Sequence, residues 1–350
     1  MLFGSDNWAG AAPQIVDSLA KHAQGHAVAY GDGDLDAQVE ATFKEVFETD
    51  CHVFFVGTGT AANNLAFAST MKPGGVGFCH SEAHITANEG GGPEAASGGG
   101  RLCTVEGDQG KMSASALRNA VADYPQEFNH FGRGTMVSIT QTTEAGTYYS
   151  LEEIAAIGNI AKDNDLATHM DGARFANALV ALGCSPADMT WRNGVDMVSF
   201  GGTKNGCWCA EALVVFDDAL ARDIEYVRKR MGHLFSKTRF ITAQFEAYFN
   251  DGLWLELARH SNAIGLELVD MLSNSPNAKL AWPSETNQVF FIVDSEKAKK
   301  WINAGARIHP FPTPKAMAGS IGENEKVYRA VASFISTADE VAQLGDIINS

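Results

Sequence analysis

From residue 50 to residue 216, short apolar runs alternate with segments of helical periodicity, and no other feature of this chain narrows its fold so far. Val53–Val56, Val76–Cys79, Thr135–Thr140, Ala167–Met170, Asp196–Phe200 and Ala212–Phe216 read as buried strands, because they are short and apolar and are bounded by glycine or polar residues. Helices are expected from about Ala61 to Met71 and from Leu151 to Asn164, the latter opened by Ser150 with Glu153 three residues on, a capping box. Strands separated by helices imply an α/β fold with a mostly parallel mixed sheet covered on both faces. Ligands of such sheets gather beyond the strands' carboxyl ends, where Gly57, His80, Asp171 and Gly201 fall.

After Phe216 the pattern changes. Residues 218–275, including the charged stretch Asp223 to Arg230, read as long helices. Strands return at Gln288–Val293 and at Arg329–Phe334, before a closing helix from Ala338 to Ile348. We therefore expect a large domain over 1–245, with an N-terminal arm, and a smaller α+β domain over 246–350. The length of 350 residues fits two domains at about 100–200 residues each.

Glycine supplies 35 residues, above the roughly 7% norm, and 28 of these lie in residues 1–206. Backbone constraint is thus concentrated where the sheet is expected. The net charge of −16 argues against nucleic acid or an anionic membrane as partner. No apolar run approaches the length of a membrane span, and the first residues have no export signal, so a cytoplasmic protein is expected. The six cysteines form no CxxC pair and the histidines no HExxH motif, so we expect reduced thiols and no metal.

Three segments carry chemistry. Val56-Gly57-Thr58-Gly59-Thr60-Ala61 places a glycine–threonine turn between a strand and a helix start, whose free N–H groups and dipole suit a phosphate; a tight turn without ligand is the alternative. His169-Met170-Asp171-Gly172-Ala173-Arg174 ends a strand in an acid that can meet a ligand cation or cap the next helix, with Arg174 one turn on. In Gly201-Gly202-Thr203-Lys204-Asn205-Gly206 a lysine follows a buried strand, where partial dehydration would make its amine nucleophilic; a solvated loop lysine is the alternative. Phosphate turn, then acid, then lysine is the order of a pyridoxal 5'-phosphate (PLP) site, whose cofactor needs a Schiff-base lysine, an acid at the pyridine nitrogen and a phosphate cup.

With these segments in place, the chain resembles the low-specificity L-threonine aldolases among the fold-type I PLP enzymes. The likeness runs nearly end to end through Ser5-Asp6-Asn7, Tyr30-Gly31, Thr58-Gly59-Thr60, Ser81-Glu82-Ala83-His84-Ile85, Met170–Arg174, Thr203-Lys204 and Arg329–Phe334. The resemblance implies cleavage of L-threonine, L-allo-threonine or a related β-hydroxy-α-amino acid such as phenylserine to glycine and an aldehyde. A related PLP-dependent β-eliminating lyase or amino-acid racemase is the alternative.

It implies Lys204 as the Schiff-base residue, Asp171 at the pyridine nitrogen, Gly59, Thr60 and Ala61 at the phosphate, and His84 stacked on the ring. Ser5, Arg174 and Arg329 would hold the substrate carboxylate, His84 or His130 would move protons, and the assembly would be a homotetramer, a dimer of dimers. Two departures stand out. Thr142-Thr143-Glu144-Ala145 replaces an Asn-Thr-His-Asn stretch, and Lys237 stands where relatives often place an arginine that reaches a neighbour's phosphate.

Overall fold

The computed structural model describes residues 1–314, 317 and 319–350. Its principal sheet has seven strands, β1 (His52–Val56), β2 (Gly75–His80), β3 (Arg101–Val105), β4 (Arg133–Thr140), β5 (Ala167–Gly172), β6 (Met197–Gly201) and β7 (Glu211–Val215). They lie in the order β1-β7-β6-β5-β4-β2-β3. Pairings β2–β3, β2–β4, β4–β5 and β5–β6 are parallel, whereas β7 runs antiparallel to both β1 and β6. All strands but β7 therefore end on one edge, and on that edge β7 begins: Glu211 pairs with Val56 on one side and Gly201 on the other.

Burial explains the apolar runs. From the second residue of β1 through the whole of β2, β6 and β7, every position is buried, as a sheet covered on both faces requires. β3 is the exception. Its residues Arg101 to Thr104 are only partly covered at the sheet margin, so the strand leaves no continuous apolar run and was not expected from the sequence. Beneath the sheet, Phe43 contacts Phe47, Phe55, Phe200, Phe245 and Phe249 edge-on or stacked, a cluster that ties β1 and β6 to the helices Asp34–Phe47 and Arg239–Phe249. The helix Leu151–Asp163 begins as expected, with Ser150 Oγ accepting the Glu153 N–H and Glu153 returning to the Ser150 N–H.

The second sheet has four strands in the order β10-β11-β9-β8, with β8 Lys279–Leu280, β9 Gln288–Asp294, β10 His309–Phe311 and β11 Glu325–Val331. The last strand starts and ends earlier than the expected Arg329–Phe334. It is fixed by antiparallel pairing along β9, from Glu325–Asp294 to Val331–Gln288, and the chain turns away beyond Val331. Residues 218–275 form four α-helices, Asp218–Ala221, Ile224–Arg230, Arg239–Phe249 and Leu253–Ser273, of which only the last is as long as expected, because the chain turns at Arg222-Asp223, at Gly232 and again at Asp251-Gly252. Phe3 is buried in the second core with Leu268, Phe291, Trp301 and Leu344, so the N-terminal arm packs against the second sheet. The helix Leu253–Ser273 joins the two cores; Ser261 and Asn262 on it both accept from Asn177 Nδ2 at 2.9 Å. All six cysteines are free, and among the described residues no helix is long and apolar enough to cross a membrane.

Candidate active site

At the shared strand edge a cavity of about 250 Å³ is lined by Asn7, Gly57, Thr58, Gly59, Thr60, Asn63, His84, Glu144, Asp171, Ala173, Thr203, Lys204 and Glu211. The three segments singled out in the sequence converge here. Thr58 caps the helix Gly59–Thr70, its Oγ1 accepting the Ala61 N–H at 3.1 Å. The first-turn N–H groups of Gly59 and Thr60 have no carbonyl one turn back to bond, and both residues line the cavity. Ala61 is not part of the lining: its N–H is taken by Thr58 and its methyl is buried, so of the three residues expected at the phosphate the cavity wall holds Gly59 and Thr60.

Lys204 sits in a single 3₁₀ turn, Thr203–Asn205, directly after β6. Asn205 anchors that turn through Nδ2, which donates to Tyr248 Oη at 2.7 Å and to the Trp254 carbonyl at 2.8 Å. Gly206, at φ +107°, lets the chain reverse immediately afterwards. At Gly201 a Cβ would stand 2.7 Å from the Ala173 carbonyl, so only glycine lets the end of β6 press against the turn after Asp171. That close approach brings Lys204 and Asp171 into one cavity.

Asp171 serves both sequence readings at once. Its Oδ1 accepts the Ala173 N–H at 3.0 Å, as a cap would, while Oδ2 accepts from Asn63 Nδ2 at 3.0 Å. The same Asn63 nitrogen donates to Glu89 Oε1 at 2.7 Å, and that oxygen lies 2.9 Å from His84 Nδ1. A polar chain thus runs His84–Glu89–Asn63–Asp171. The Glu89 hydrogen bond raises the His84 pKa against the opposing effect of burial, and burial raises Glu89. His169, on the same face of β5 two residues before Asp171, is buried and pushed down to about 4, a neutral ring held between the hydroxyls of Ser138 and Ser199.

The arginines divide unexpectedly. Arg174 is buried and donates through Nε and Nη2 to Asp6 Oδ2 and Oδ1 at 2.7 and 2.9 Å, and Asn287 Nδ2 also donates to Asp6, at 3.1 Å. Burial opposes both charges, yet the pairing holds Asp6 below and Arg174 above their ordinary values. Arg329, in β11, has a buried Nε with no partner among the described residues, and burial together with the nearby Arg174 lowers its pKa. Ser5 caps the short turn Asp6–Trp8 by accepting the Asn7 N–H, which brings Asn7 to the cavity wall.

Six expected residues do not line this cavity: Ser5, Ala61, Arg174 and Arg329, placed above, and His130 and Lys237, which lie elsewhere. His130 is exposed in the loop just before β4, and so at the amino edge of the sheet, opposite Lys204. Lys237 is exposed before the helix Arg239–Phe249, two residues from Phe235, whose ring lies against Gly57. In the other direction, Asp6, Asn63, Glu89, Glu144 and Glu211 were not expected as site residues. Glu144 falls in the segment that departs from the resembled pattern; the others are acids and amides scattered along the chain with no spacing to mark them.

A lysine, a strand-end acid and an open helix start thus meet in one cavity at the edge of a seven-stranded sheet, and comparison with known proteins supplies the family that this arrangement belongs to. The chain belongs to the beta-eliminating lyase family, whose model matches residues 3–296. It is 39% identical to the low specificity L-threonine aldolase of a Pseudomonas species, over 88% of this chain and 89% of that one, and 38% identical to the Pseudomonas aeruginosa protein of the same name over 85% and 87%. A threonine aldolase structure from Leishmania major superposes with a TM-score of 0.91 at 27% identity, covering 99% of this chain and 98% of that one.

Proposed function

We propose that the protein is a PLP-dependent aldehyde-lyase that cleaves L-threonine, L-allo-threonine or a related β-hydroxy-α-amino acid such as phenylserine to glycine and an aldehyde. The observation that carries the reading is the meeting of Lys204, Asp171, His84 and the Gly59–Thr60 helix start in one cavity at the sheet edge. The cavity fits the cofactor by its donors: Lys204 supplies an amine, Asp171 an acid beside a donor-rich helix start, and Thr203 Oγ1 is buried without a partner. When bound, PLP would serve as the electron sink for breaking the Cα–Cβ bond.

The chain's own groups would do the rest. Asp171, steadied by Asn63 and the Ala173 N–H, would keep the pyridine nitrogen protonated. Gly59 and Thr60 would hold the phosphate. Arg329, with its unpartnered Nε, would bind the substrate carboxylate, and Ser5 and the Asp6-bound Arg174 would orient it. His84, fixed at Nδ1 by Glu89, keeps Nε2 free to accept the β-hydroxyl proton, help that typically contributes 10²–10⁴-fold. We place the protein in the cytoplasm as a homotetramer, with the exposed Lys237 reaching across a subunit contact toward a neighbour's phosphate.

Purified protein given PLP and L-threonine should release glycine and acetaldehyde in equal amounts, and Lys204→Ala should abolish both. Pyruvate and ammonia from L-serine without aldehyde would replace this reading with β-elimination, and D-alanine from L-alanine would replace it with racemisation.

A further inference from the structure

Glu211 is out of place. It opens the antiparallel strand β7 and lines the same cavity as the helix start meant for an anion. Only 6% of it is exposed. Oε1 accepts the Thr203 N–H at 3.3 Å, a long contact, and Oε2 lies toward Gly59, 3.9 Å from where a Cβ on that glycine would stand. No arginine or lysine forms an ion pair with it among the described residues. A second negative charge beside a phosphate would repel it at short range in a poorly solvated space.

We propose that Glu211 is a proton-accepting member of the anion site: it takes up a proton from solvent as the cofactor's phosphate seats at Gly59 and Thr60, and then offers an O–H where it would otherwise oppose a second charge. The step balances simply, carboxylate plus proton giving carboxylic acid, with no other reactant. The inference rests on the PLP reading above and adds a residue and a proton to it.

The surroundings already favour this change. Burial pushes Glu211 up to about 7 against the pull of Thr203 and of the Lys204 charge, and the Asp171 carboxylate pushes it further. The remaining titratable neighbours are the thiols of Cys207 and Cys209 and the phenol of Tyr248, all raised by burial and by the charge on Glu211, with Gln244 partly offsetting the rise at Cys209 and Asn205 that at Tyr248. The first turn of the helix Gly59–Thr70 brings no acid. An arriving phosphate is therefore the largest new charge Glu211 would meet. Without it the carboxyl is poised between its two forms near neutrality; with it the neutral form wins.

The test uses the full chain stripped of cofactor. It is titrated calorimetrically at about pH 8 in buffers of different ionisation enthalpy, with PLP, with inorganic phosphate and with pyridoxal, which lacks the phosphate. The wild type should take up more protons than Glu211→Gln with both phosphate ligands, the difference approaching about one per site, and pyridoxal should give no difference. Between about pH 7.5 and 9 the wild-type affinity for PLP should fall more steeply than that of Glu211→Gln, by up to about tenfold per pH unit.

Equal proton uptake by the two proteins on binding PLP overturns the inference and leaves the PLP reading standing. Failure of PLP to bind the wild type at all overturns both. Should Glu211→Gln not fold, infrared spectra of wild-type protein carrying ¹³C-labelled glutamate decide the matter: a protonated-carboxyl band must appear when phosphate binds, and its absence overturns the inference.

Discussion

Two buried carboxylates, Asp6 on the N-terminal arm and Glu211 in the cavity wall, are held in opposite ways. Asp6 accepts two hydrogen bonds from Arg174 and a third from Asn287, and stays ionised. Among the described residues Glu211 has only Thr203 to bond, the N–H at a long 3.3 Å, and burial pushes it up to about 7. Matched partners turn a buried acid into a fixed part of the frame, whereas their scarcity leaves it free to titrate. The pairing at Asp6 also changes the reading of the substrate clamp. Arg174 already pairs with a carboxylate of its own chain, so under the proposed function Arg329, whose buried Nε has no partner among the described residues, is the guanidinium left to bind the substrate carboxylate.

Asp6→Ala is the harshest way to break the comparison. It strands Arg174 in the interior without its counter-charge, and removing one partner of a buried pair costs about 3–5 kcal/mol. The denaturation midpoint should drop accordingly, with activity lost as the arm holding Ser5 and Asn7 loosens. A midpoint within experimental scatter of the wild type would show that Asp6 is no part of the frame.

Glu211→Gln should act in the other direction on the cofactor-free protein. A carboxyl raised from 4.5 in the unfolded chain to about 7 in the folded one contributes nothing adverse below about pH 4.5, and destabilises as pH rises through about 7. By about pH 8 the variant should be the more stable of the two by up to about 3 kcal/mol, and by much less near pH 4.5. Urea unfolding at the two pH values measures it. A stability difference that does not change with pH would mean that Glu211 does not titrate on unfolding.

Arg329→Met tests the free cation. The variant removes a buried group whose Nε has no partner, so thermal stability should not fall. The KM for L-threonine should rise about 10–100-fold, the worth of one or two charge-assisted hydrogen bonds. Lost stability with an unchanged KM would place Arg329 in the frame beside Arg174.

Much of this was legible in the sequence because it depends on local rules. The strands of β1, β2 and β4 to β7 show as apolar runs because both faces of the sheet are covered, and the capping box of Leu151–Asp163 is written in four residues. Lys204, Asp171 and the Gly59–Thr60 turn were found because each follows a strand that ends at the site edge. Glu211 was missed for the complementary reason. The rule points to strand carboxyl ends, and β7 alone runs backwards, so its amino end reaches the site. Asp6 and Glu89 were missed because their partners are distant in sequence: Arg174 lies 168 residues from Asp6, and Asn63 lies 26 from Glu89. His130 was expected at the site from resemblance alone, and its place before β4 puts it at the other edge.

The mildest perturbation separates charge from geometry in the His84 pair. Glu89→Gln keeps a side-chain oxygen that can accept the Nδ1–H but removes the negative charge whose hydrogen bond raises the His84 pKa. A general base must be neutral to work, so the wild-type rate with L-threonine should climb with pH through a limb set by that raised value. In the variant the limb should move to lower pH, while the high-pH plateau falls by less than about tenfold, because the ring is still oriented. If the limb stays in place and the plateau collapses by the full 10²–10⁴-fold typical of a lost base, then Glu89 positions the imidazole and does not tune it. If neither changes, the proton is taken elsewhere, and Glu144, a lining carboxylate whose charge also raises the His84 pKa, becomes the group to replace next.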